Sequence, residues 1–91
     1  MRLHWANKAL SDVVRLHQFL AMVNPYAATR SVQTLVSAPV QLLEQARMGE
    51  RLEEFAHREV RRLLVGQYEI RYEIKRNAVI ILRVFHTREQ R

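Results

Sequence analysis

The chain has 91 residues, of which 48% are hydrophobic, and it carries a formal charge of +6. This length and composition predict a single folded domain over residues 1–91. The absence of cysteine excludes disulfide bonds and thiolate metal sites. No apolar run approaches the roughly 20 residues of a membrane span, and residues 1–8 lack the apolar stretch of a signal peptide. We therefore expect a cytoplasmic protein that makes no contact with a membrane.

The basic residues are concentrated in the last third of the chain. Nine of the 15 lysines and arginines lie between Arg58 and Arg91, whereas the acidic residues are densest from Glu44 to Glu59. Such a basic chain favours an acidic partner, either a nucleic acid or an acidic protein. A solvated surface of mixed charge is the alternative interpretation of the same composition.

The first half of the chain has the apolar spacing of helices. Before them, Leu3 and Trp5 lie two residues apart, which predicts a short strand. Asn7 is positioned to cap a first helix that ends near Met22. The predicted buried stripe of this helix consists of Leu10, Val13, Val14, Leu20 and Ala21, with His17 as a core or boundary histidine in the same stripe.

A second helix is predicted from Pro25 to about Arg47. Asn24 can cap it, and Pro25 suits its first position because proline lacks an N–H group that would be unpaired there. Pro39 should kink this helix between about Leu35 and Pro39 or divide it there into two shorter helices. Gly49 then offers a left-handed C-cap. The predicted buried stripe is Ala28, Val32, Leu35, Val36, Leu42 and Leu43.

The second half of the chain has the two-residue period of strands. Glu59–Leu64 is a candidate strand, and turns are predicted at residues 66–67 and 76–77. Between the turns, Tyr68–Lys75 alternates apolar with charged residues, which predicts one buried and one wet face. Ala78–Phe85 is almost entirely apolar and should be a central strand covered on both faces. The order is β-α-α-β-β-β, an α+β fold in which a helical hairpin covers one face of a sheet.

The sequence contains no pattern for catalysis or metal binding. The four histidines form no i, i+4 pair and have no cysteine to support them, so no metal site is predicted. There is no Gly-x-Ser-x-Gly motif and no glycine-rich phosphate loop, so we expect no cofactor and no small-molecule substrate. Acid–base pairs are possible at Glu53 and Glu54 or at Glu69 and Glu73. For the latter pair, ion pairing with Arg71 and Lys75 on the wet face is the favoured interpretation.

Arginines of the predicted sheet form the candidate binding surface. Arg83 interrupts an apolar strand, and because an unpaired buried charge is costly it should reach the sheet rim or pair with an acid such as Glu59 or Glu69. A structural pair and a contact with a partner both stay open for Arg83. His86 follows at the strand end, where its neutral ring could act as an acid or base or have no special role. The arginines of this region are Arg58, Arg61, Arg62, Arg71, Arg83, Arg88 and Arg91.

These segments together resemble the RelE/ParE toxin superfamily along nearly the whole chain. The motifs that carry the resemblance are Trp5-Ala6 to Leu10 with Asp12 following, Asn24-Pro25-x-Ala27-Ala28, Arg58-Glu59, Gly66-x-Tyr68-x-Ile70-x-Tyr72 and Ile81-Leu82-Arg83-Val84-Phe85-His86-x-Arg88. The resemblance implies two N-terminal helices packed on a mainly antiparallel four-stranded sheet. This architecture agrees with the element order predicted from periodicity.

The superfamily contains two activities, and the residues favour one of them. RelE-like members cleave mRNA in the ribosomal A site, whereas ParE-like members inhibit DNA gyrase. A RelE-like nuclease has a basic residue just after the tyrosine that Tyr68 resembles, but here Glu69 would repel a phosphate. Such nucleases also carry a tyrosine beyond the final strand, and no tyrosine follows His86 in this sequence. The Leu-Arg-Val-Phe-His and Asn-Pro-x-Ala-Ala motifs resemble ParE more closely.

The ParE-like resemblance implies a toxin of a type II toxin–antitoxin system, active in plasmid stabilisation, that stabilises a cleaved gyrase–DNA complex and is not an enzyme. It also implies a ParD-like antitoxin, whose acidic, amphipathic C-terminal segment would fold on the toxin while its N-terminal part makes most contacts with operator DNA. The residues expected to contact the target are Arg58, Arg61, Arg62, Arg71, Arg83, His86 and Arg88. The alternatives are a RelE-like ribonuclease that uses Arg62, His86 and Arg88 in catalysis, and a non-toxic basic module that binds nucleic acid.

Overall fold

Two helices and a 3₁₀ helix pack on one five-stranded sheet in the computed structural model, which describes residues 1–89. In chain order the elements are β1 (Arg2–Trp5), α1 (Asn7–Ala21), α2 (Pro25–Ser37), the 3₁₀ helix (Ala38–Leu43), β2 (Glu50–Arg51), β3 (Glu59–Val65), β4 (Tyr68–Lys75) and β5 (Ala78–His86). The α+β class is confirmed, but the sheet has five strands and not four. The additional strand β2 has only two residues, too few to show a two-residue period in the sequence.

The strands lie in the order β1-β5-β4-β3-β2. Strand β1 is parallel to β5, and the other three pairings are antiparallel. The two predicted hairpin turns are confirmed, since Gly66 and Arg76 adopt positive φ angles of 58° and 57° between the strands. Strand β5 has a neighbour on each side along its first half only, and the helices cover one of its faces, so the expectation of a central strand covered on both faces is met only in part.

A β-bulge in β5 changes which side chains reach the helices. Arg71 lies opposite Arg83 and Tyr72 lies opposite Ile81, so Leu82 has no opposite residue on β4. Beyond this extra residue the alternation of β5 is shifted by one. Ile81 and Val84 therefore both join the core beneath the helices. Arg83 consequently lies on the same side of the sheet as Arg71. We call this side, opposite the helices, the open face.

The junction between the helices forms as the sequence predicts. The Ala27 backbone N–H donates to Asn24 Oδ1 at 3.1 Å, and Pro25 occupies the first turn of α2. Helix α2 ends at Ser37 and the 3₁₀ helix follows, which confirms the predicted break around Pro39. The prediction that Asn7 caps α1 is wrong. Asn7 is the first residue of the helix, and its N-cap, Ala6, makes no capping hydrogen bond through a side chain.

The predicted stripe of α1 is partly wrong. Val13 is buried, but Leu10 and Val14 are exposed, and the buried face consists of Ala9, Asp12, Val13 and Leu16. Asp12 explains the difference, because its hydrogen bonds to β5 fix the rotation of the helix about its axis. In the second half of the hairpin, Leu35 and Leu42 are buried as predicted. Val36 and Leu43 are exposed in spite of the prediction.

Gly49 does not form the predicted left-handed C-cap. The positive φ angles within residues 1–89 belong to Gly66 and Arg76. Gly49 is instead buried, where a Cβ atom would lie 2.6 Å from the Arg62 carbonyl oxygen and 2.7 Å from the Tyr72 hydroxyl. The Gly49 N–H donates to the Tyr72 hydroxyl at 3.0 Å, and that hydroxyl donates to the Ala46 carbonyl at 2.7 Å. The glycine is therefore required by close packing of the loop against β3 and β4.

The helices of the described residues are not suited to a bilayer. None of them, within residues 1–89, combines the length and the apolar character that crossing a membrane requires.

Candidate functional site

Three arginines form a row across the open face of the sheet. Arg62 on β3 lies directly opposite Arg71 on β4, which in turn lies opposite Arg83 on β5. Residues directly opposite each other in antiparallel strands point to the same side, and like charges placed in this way repel. We call these three residues the arginine row. The row can exist in a stable sheet only if acids neutralise it.

Two glutamates neutralise Arg62 and Arg71 of the arginine row. Glu69 accepts a hydrogen bond from Arg71 Nε at 2.7 Å, and its other oxygen lies 3.6 Å from Arg62. Glu50 on β2 accepts from Arg62 Nε at 2.6 Å. The predicted pair of Glu69 with Arg71 is confirmed. The prediction that Glu69 lies on a wet face is wrong, because the arginines cover it and leave only 1% of the residue exposed.

Asp12 of α1 neutralises Arg83, the third arginine of the row. Arg83 donates to it through Nε at 2.8 Å and through a terminal nitrogen at 3.1 Å, and the Val84 backbone N–H donates to it at 2.8 Å. Burial of Asp12 raises its pKa, but the hydrogen bonds from Arg83, Val84 and Arg15 outweigh this effect and hold the pKa below its ordinary value. Arg83 thus pairs with an acid, as one interpretation expected, but neither Glu59 nor Glu69 is that acid.

Phe85 lies against the guanidinium groups of two arginines of the row. The guanidinium carbon of Arg83 lies 4.8 Å from the centre of the Phe85 ring, and that of Arg71 lies 5.5 Å from it. Cations within about 6 Å of a ring centre are attracted by its negative face. The arginines are therefore held in place by acids and by an aromatic ring.

Arg58 and Arg61 lie apart from the row and from each other. Arg58 donates two hydrogen bonds to Glu73, at 2.9 Å and 3.0 Å, and these bonds lower the pKa of Glu73 below its ordinary value. Glu73 is buried, so its predicted wet position is wrong, and its hydrogen-bond partner is Arg58 and not the predicted Lys75. Arg61 lies opposite Tyr72, on the helix-covered side, and donates to the Gly49 carbonyl at 2.7 Å.

His86 lies at the end of the sheet, on the side of the helices. Its Cα partner is Tyr68, and the two rings meet edge to face with centroids 5.3 Å apart. The Arg88 backbone N–H donates to Nδ1 at 3.1 Å, and Nε2 lies 3.2 Å from Gln67 Oε1. In this arrangement Nδ1 is the acceptor of a backbone hydrogen bond. Arg91, the remaining arginine of this region, lies outside the described residues.

The turn between α1 and α2 exposes an apolar surface that the sequence interpretation missed. The exposed fractions are 69% for Phe19, 86% for Met22, 86% for Val23 and 84% for Tyr26. We call these four residues the apolar tip. A contiguous group of exposed large apolar side chains commonly marks a protein-binding site. A sequence signal for it exists, since Met22, Val23 and Tyr26 flank the Asn24-Pro25 break, and connections between helices lie at the surface.

Comparison with known proteins identifies the family. A family model described as the ParE toxin of the type II toxin–antitoxin system, parDE, matches residues 3–91. The chain belongs to the ParE toxin family. A solved structure described as the chromosomal ParDE toxin–antitoxin system from P. aeruginosa has the same fold, with a TM-score of 0.78 at 24% identity over 94% of this chain and 95% of that chain. A search of curated protein sequences finds no match. The resemblance to ParE toxins is thus confirmed.

In this ParE-family toxin the residues of the alternative nuclease mechanism lie on different surfaces. Arg62 belongs to the row on the open face, whereas His86 packs on Tyr68 on the side of the helices. Arg88 follows the last strand and is exposed. Residues 1–89 also contain no group of three or more His, Asp and Glu side chains that could hold a metal ion.

Proposed function

We propose that this ParE-family toxin inhibits DNA gyrase by stabilising the cleaved-DNA complex and that it acts by binding, without catalysing a reaction. The observation that carries the proposal is the separation of Arg62 from His86 by the sheet. A nuclease needs its acid, its base and its cation around one phosphate, within hydrogen-bond reach. Both ring nitrogens of His86 are also occupied by neighbouring groups, which suits a structural role.

The arginine row is the surface that we assign to target contact. Its side chains are oriented by acids and by Phe85, so a protein that binds them meets a preorganised surface. Arg58 lies apart from the row, where it pairs with Glu73. His86 and Arg88 lie at the far end of β5, and all three residues stay candidates for contact. Arg61 is engaged with the Gly49 carbonyl, and we assign it to support of that loop.

We place a ParD-like antitoxin on the apolar tip. The structural relative is described as a ParDE toxin–antitoxin system, which supports a partner of this kind for the chain. The stretch between Asp12 and Glu44 contains two arginines and a histidine but no acid, although Glu89 pairs with Arg15 beside Phe19. An acidic, amphipathic antitoxin segment would complement both the apolar side chains and the charge. The pair would act in the cytoplasm, in plasmid stabilisation, and would bind operator DNA mainly through the antitoxin.

A gyrase assay with a His86→Ala variant tests the mechanism. We expect the purified toxin to inhibit supercoiling and to leave linear cleaved DNA, while mRNA on translating ribosomes stays intact. The variant should inhibit gyrase about as well as the unaltered toxin, because no proton transfer is required. If His86 were a catalytic acid or base, its removal would lower the rate by roughly 10²–10⁴-fold. Ribosome-dependent RNA cleavage with unaffected gyrase would overturn the proposal in favour of a RelE-like nuclease.

A further inference from the structure

We propose that Arg2, Lys75 and Arg76 form a binding site for the phosphodiester backbone of duplex DNA. These residues come from the start of β1 and from the β4–β5 turn, at the end of β5 opposite the apolar tip. We call the three residues the cationic corner. The site is distinct from the arginine row and does not depend on gyrase being the target.

Strand pairing brings the three cations together. Arg2 lies opposite Ala78 in the parallel β1–β5 pair, and its backbone N–H donates to the Asn77 carbonyl at 3.0 Å. Arg2, Lys75 and Arg76 then line one cavity of about 280 Å³, together with Asn77 and Ala78. Arg2 is more than 70 residues away from Lys75 and Arg76 in sequence, so no local sequence pattern indicates the site.

The cationic corner differs from the arginine row because acids do not neutralise it. All three side chains are exposed, and within residues 1–89 none of them takes part in an ion pair. Lys75 interacts electrostatically with Glu73, but the carboxylate of Glu73 is hydrogen-bonded to Arg58 and not to Lys75. Three neighbouring cations repel one another in the free protein, and a polyanion would relieve that repulsion. Exposed arginine and lysine side chains are the usual phosphate ligands of DNA-binding proteins.

The backbone of Arg76 supports a functional role for the turn. Its φ angle is +57°, in the left-handed region that glycine and asparagine favour. Glycine would form this turn at a lower conformational cost, and Asn77 stands only one position later. Arginine at such a position brings a cation to the tip of the turn in spite of the strain. Strained residues of this kind concentrate at binding sites.

The site is tested by measuring how DNA binding depends on salt concentration in variants that each lose one positive charge. A labelled 30-base-pair duplex is titrated by fluorescence anisotropy over a range of salt concentrations, with Arg2→Gln, Lys75→Gln and Arg76→Gly toxins. Each substitution should reduce the slope of log K against log salt by about 0.9, which is roughly a fivefold loss of affinity at 0.15 M salt. Lys8→Gln is the matched control, because it removes one exposed cation from α1 and should leave the slope unchanged.

Arg76→Gly separates the charge effect from damage to the fold. Because glycine relieves the strain at this position, its thermal midpoint should equal or exceed that of the unaltered toxin while DNA affinity falls. Equal losses of DNA affinity in Lys8→Gln and in the corner variants would show that binding depends only on net charge and would overturn the proposal. Tighter binding of single-stranded RNA than of the duplex, or an unchanged slope for all three corner variants, would overturn it as well.

Discussion

At the scale of single residues, Asp12 joins the helices to the sheet. It accepts hydrogen bonds from the Arg83 guanidinium and the Val84 backbone of β5, although it is 71 residues away from Arg83 in sequence. These bonds satisfy the Val84 N–H at the point where β1 has ended and no strand pairs with β5 on that side. The Asp12 carboxylate therefore neutralises Arg83 of the arginine row, bonds the free edge of β5 and sets the rotation of α1.

Asp12→Asn is expected to destabilise the fold by about 2–3 kcal/mol at pH 7, because hydrogen bonds to a charged group are lost. The effect should depend on pH in a defined direction. The folded state lowers the pKa of Asp12, so its stabilisation is full above the unfolded pKa and disappears as the pH falls through the folded pKa. Urea unfolding at pH 7, 5, 4 and 3 should show the curves of the two proteins converging in acid.

Glu50→Gln is the control for this prediction. Its carboxylate also pairs with a row arginine, but the side chain is 63% exposed. Exposed pairs contribute about 0–1 kcal/mol, so the control should leave unfolding nearly unchanged. A loss at Glu50 as large as that at Asp12 would contradict the role assigned to Asp12.

At the scale of elements, the sequence predicts what local chemistry determines. Asn24-Pro25 begins α2, Pro39 ends it, and the alternation from Tyr68 identifies β4. The features that were predicted wrongly depend on which side chains the strand pairing brings together. Glu69 is buried only because arginines of β3 and β4 close over it, and the alternation of β4 alone assigns it to water. The candidate site was predicted as a set of arginines, but their division among the row, Glu73 and the Gly49 loop requires the strand register.

Gly49 illustrates how a loop is fixed by the strands beneath it. We expect Gly49→Ala to cost about 1–3 kcal/mol, since its Cβ would overlap the Arg62 carbonyl at 2.6 Å and the Tyr72 hydroxyl at 2.7 Å. Gly66→Ala is the contrasting variant. It has no atom within 4 Å of the added Cβ, and its positive φ angle alone should cost about 1–2 kcal/mol. Thermal and urea unfolding of both variants, with Tyr72→Phe added to the Gly49→Ala background, separates the two causes.

The Tyr72→Phe addition gives this test its sharpest outcome. Removing the hydroxyl should recover part of the loss in the Gly49→Ala protein, because one of the three overlapping atoms is gone while the Arg62 carbonyl oxygen and Cε1 of residue 72 remain. In the unaltered chain the same substitution should destabilise, since it leaves the Gly49 N–H unpaired. Additive losses of stability in the double variant would show that overlap with the Tyr72 hydroxyl does not cause the loss in Gly49→Ala.

At the scale of the whole molecule, three surfaces of different chemistry occupy different places. The arginine row crosses the middle of the open face, the apolar tip lies near the His86 end of β5, and the cationic corner lies at the other end. The nine residues of β5 separate the ends by roughly 26 Å at about 3.3 Å per residue. A protein partner on the tip and a DNA backbone at the corner could therefore bind at the same time. The net charge of +6 alone does not indicate this division, because the row is already neutralised.

The separation of surfaces predicts that antitoxin binding and gyrase inhibition can be changed independently. Phe19→Asp and Met22→Asp place a charge in the apolar tip and should weaken binding of the antitoxin, produced from the reading frame beside the toxin gene, by at least about 30-fold. Both residues are largely exposed, so the fold should be unaffected. Val40→Asp is the control, because it adds the same charge at an exposed apolar residue of the 3₁₀ helix, away from the tip.

Titration calorimetry with the antitoxin and supercoiling assays with gyrase read out the two functions side by side. The tip variants should still inhibit gyrase, and the antitoxin should no longer relieve that inhibition at concentrations that rescue the unaltered toxin. Val40→Asp should behave as the unaltered toxin in both assays. Tip variants that retain antitoxin affinity but lose gyrase inhibition would assign the apolar tip to the target. In that case the antitoxin would have to neutralise the toxin elsewhere, and the arginine row would be the next surface to test.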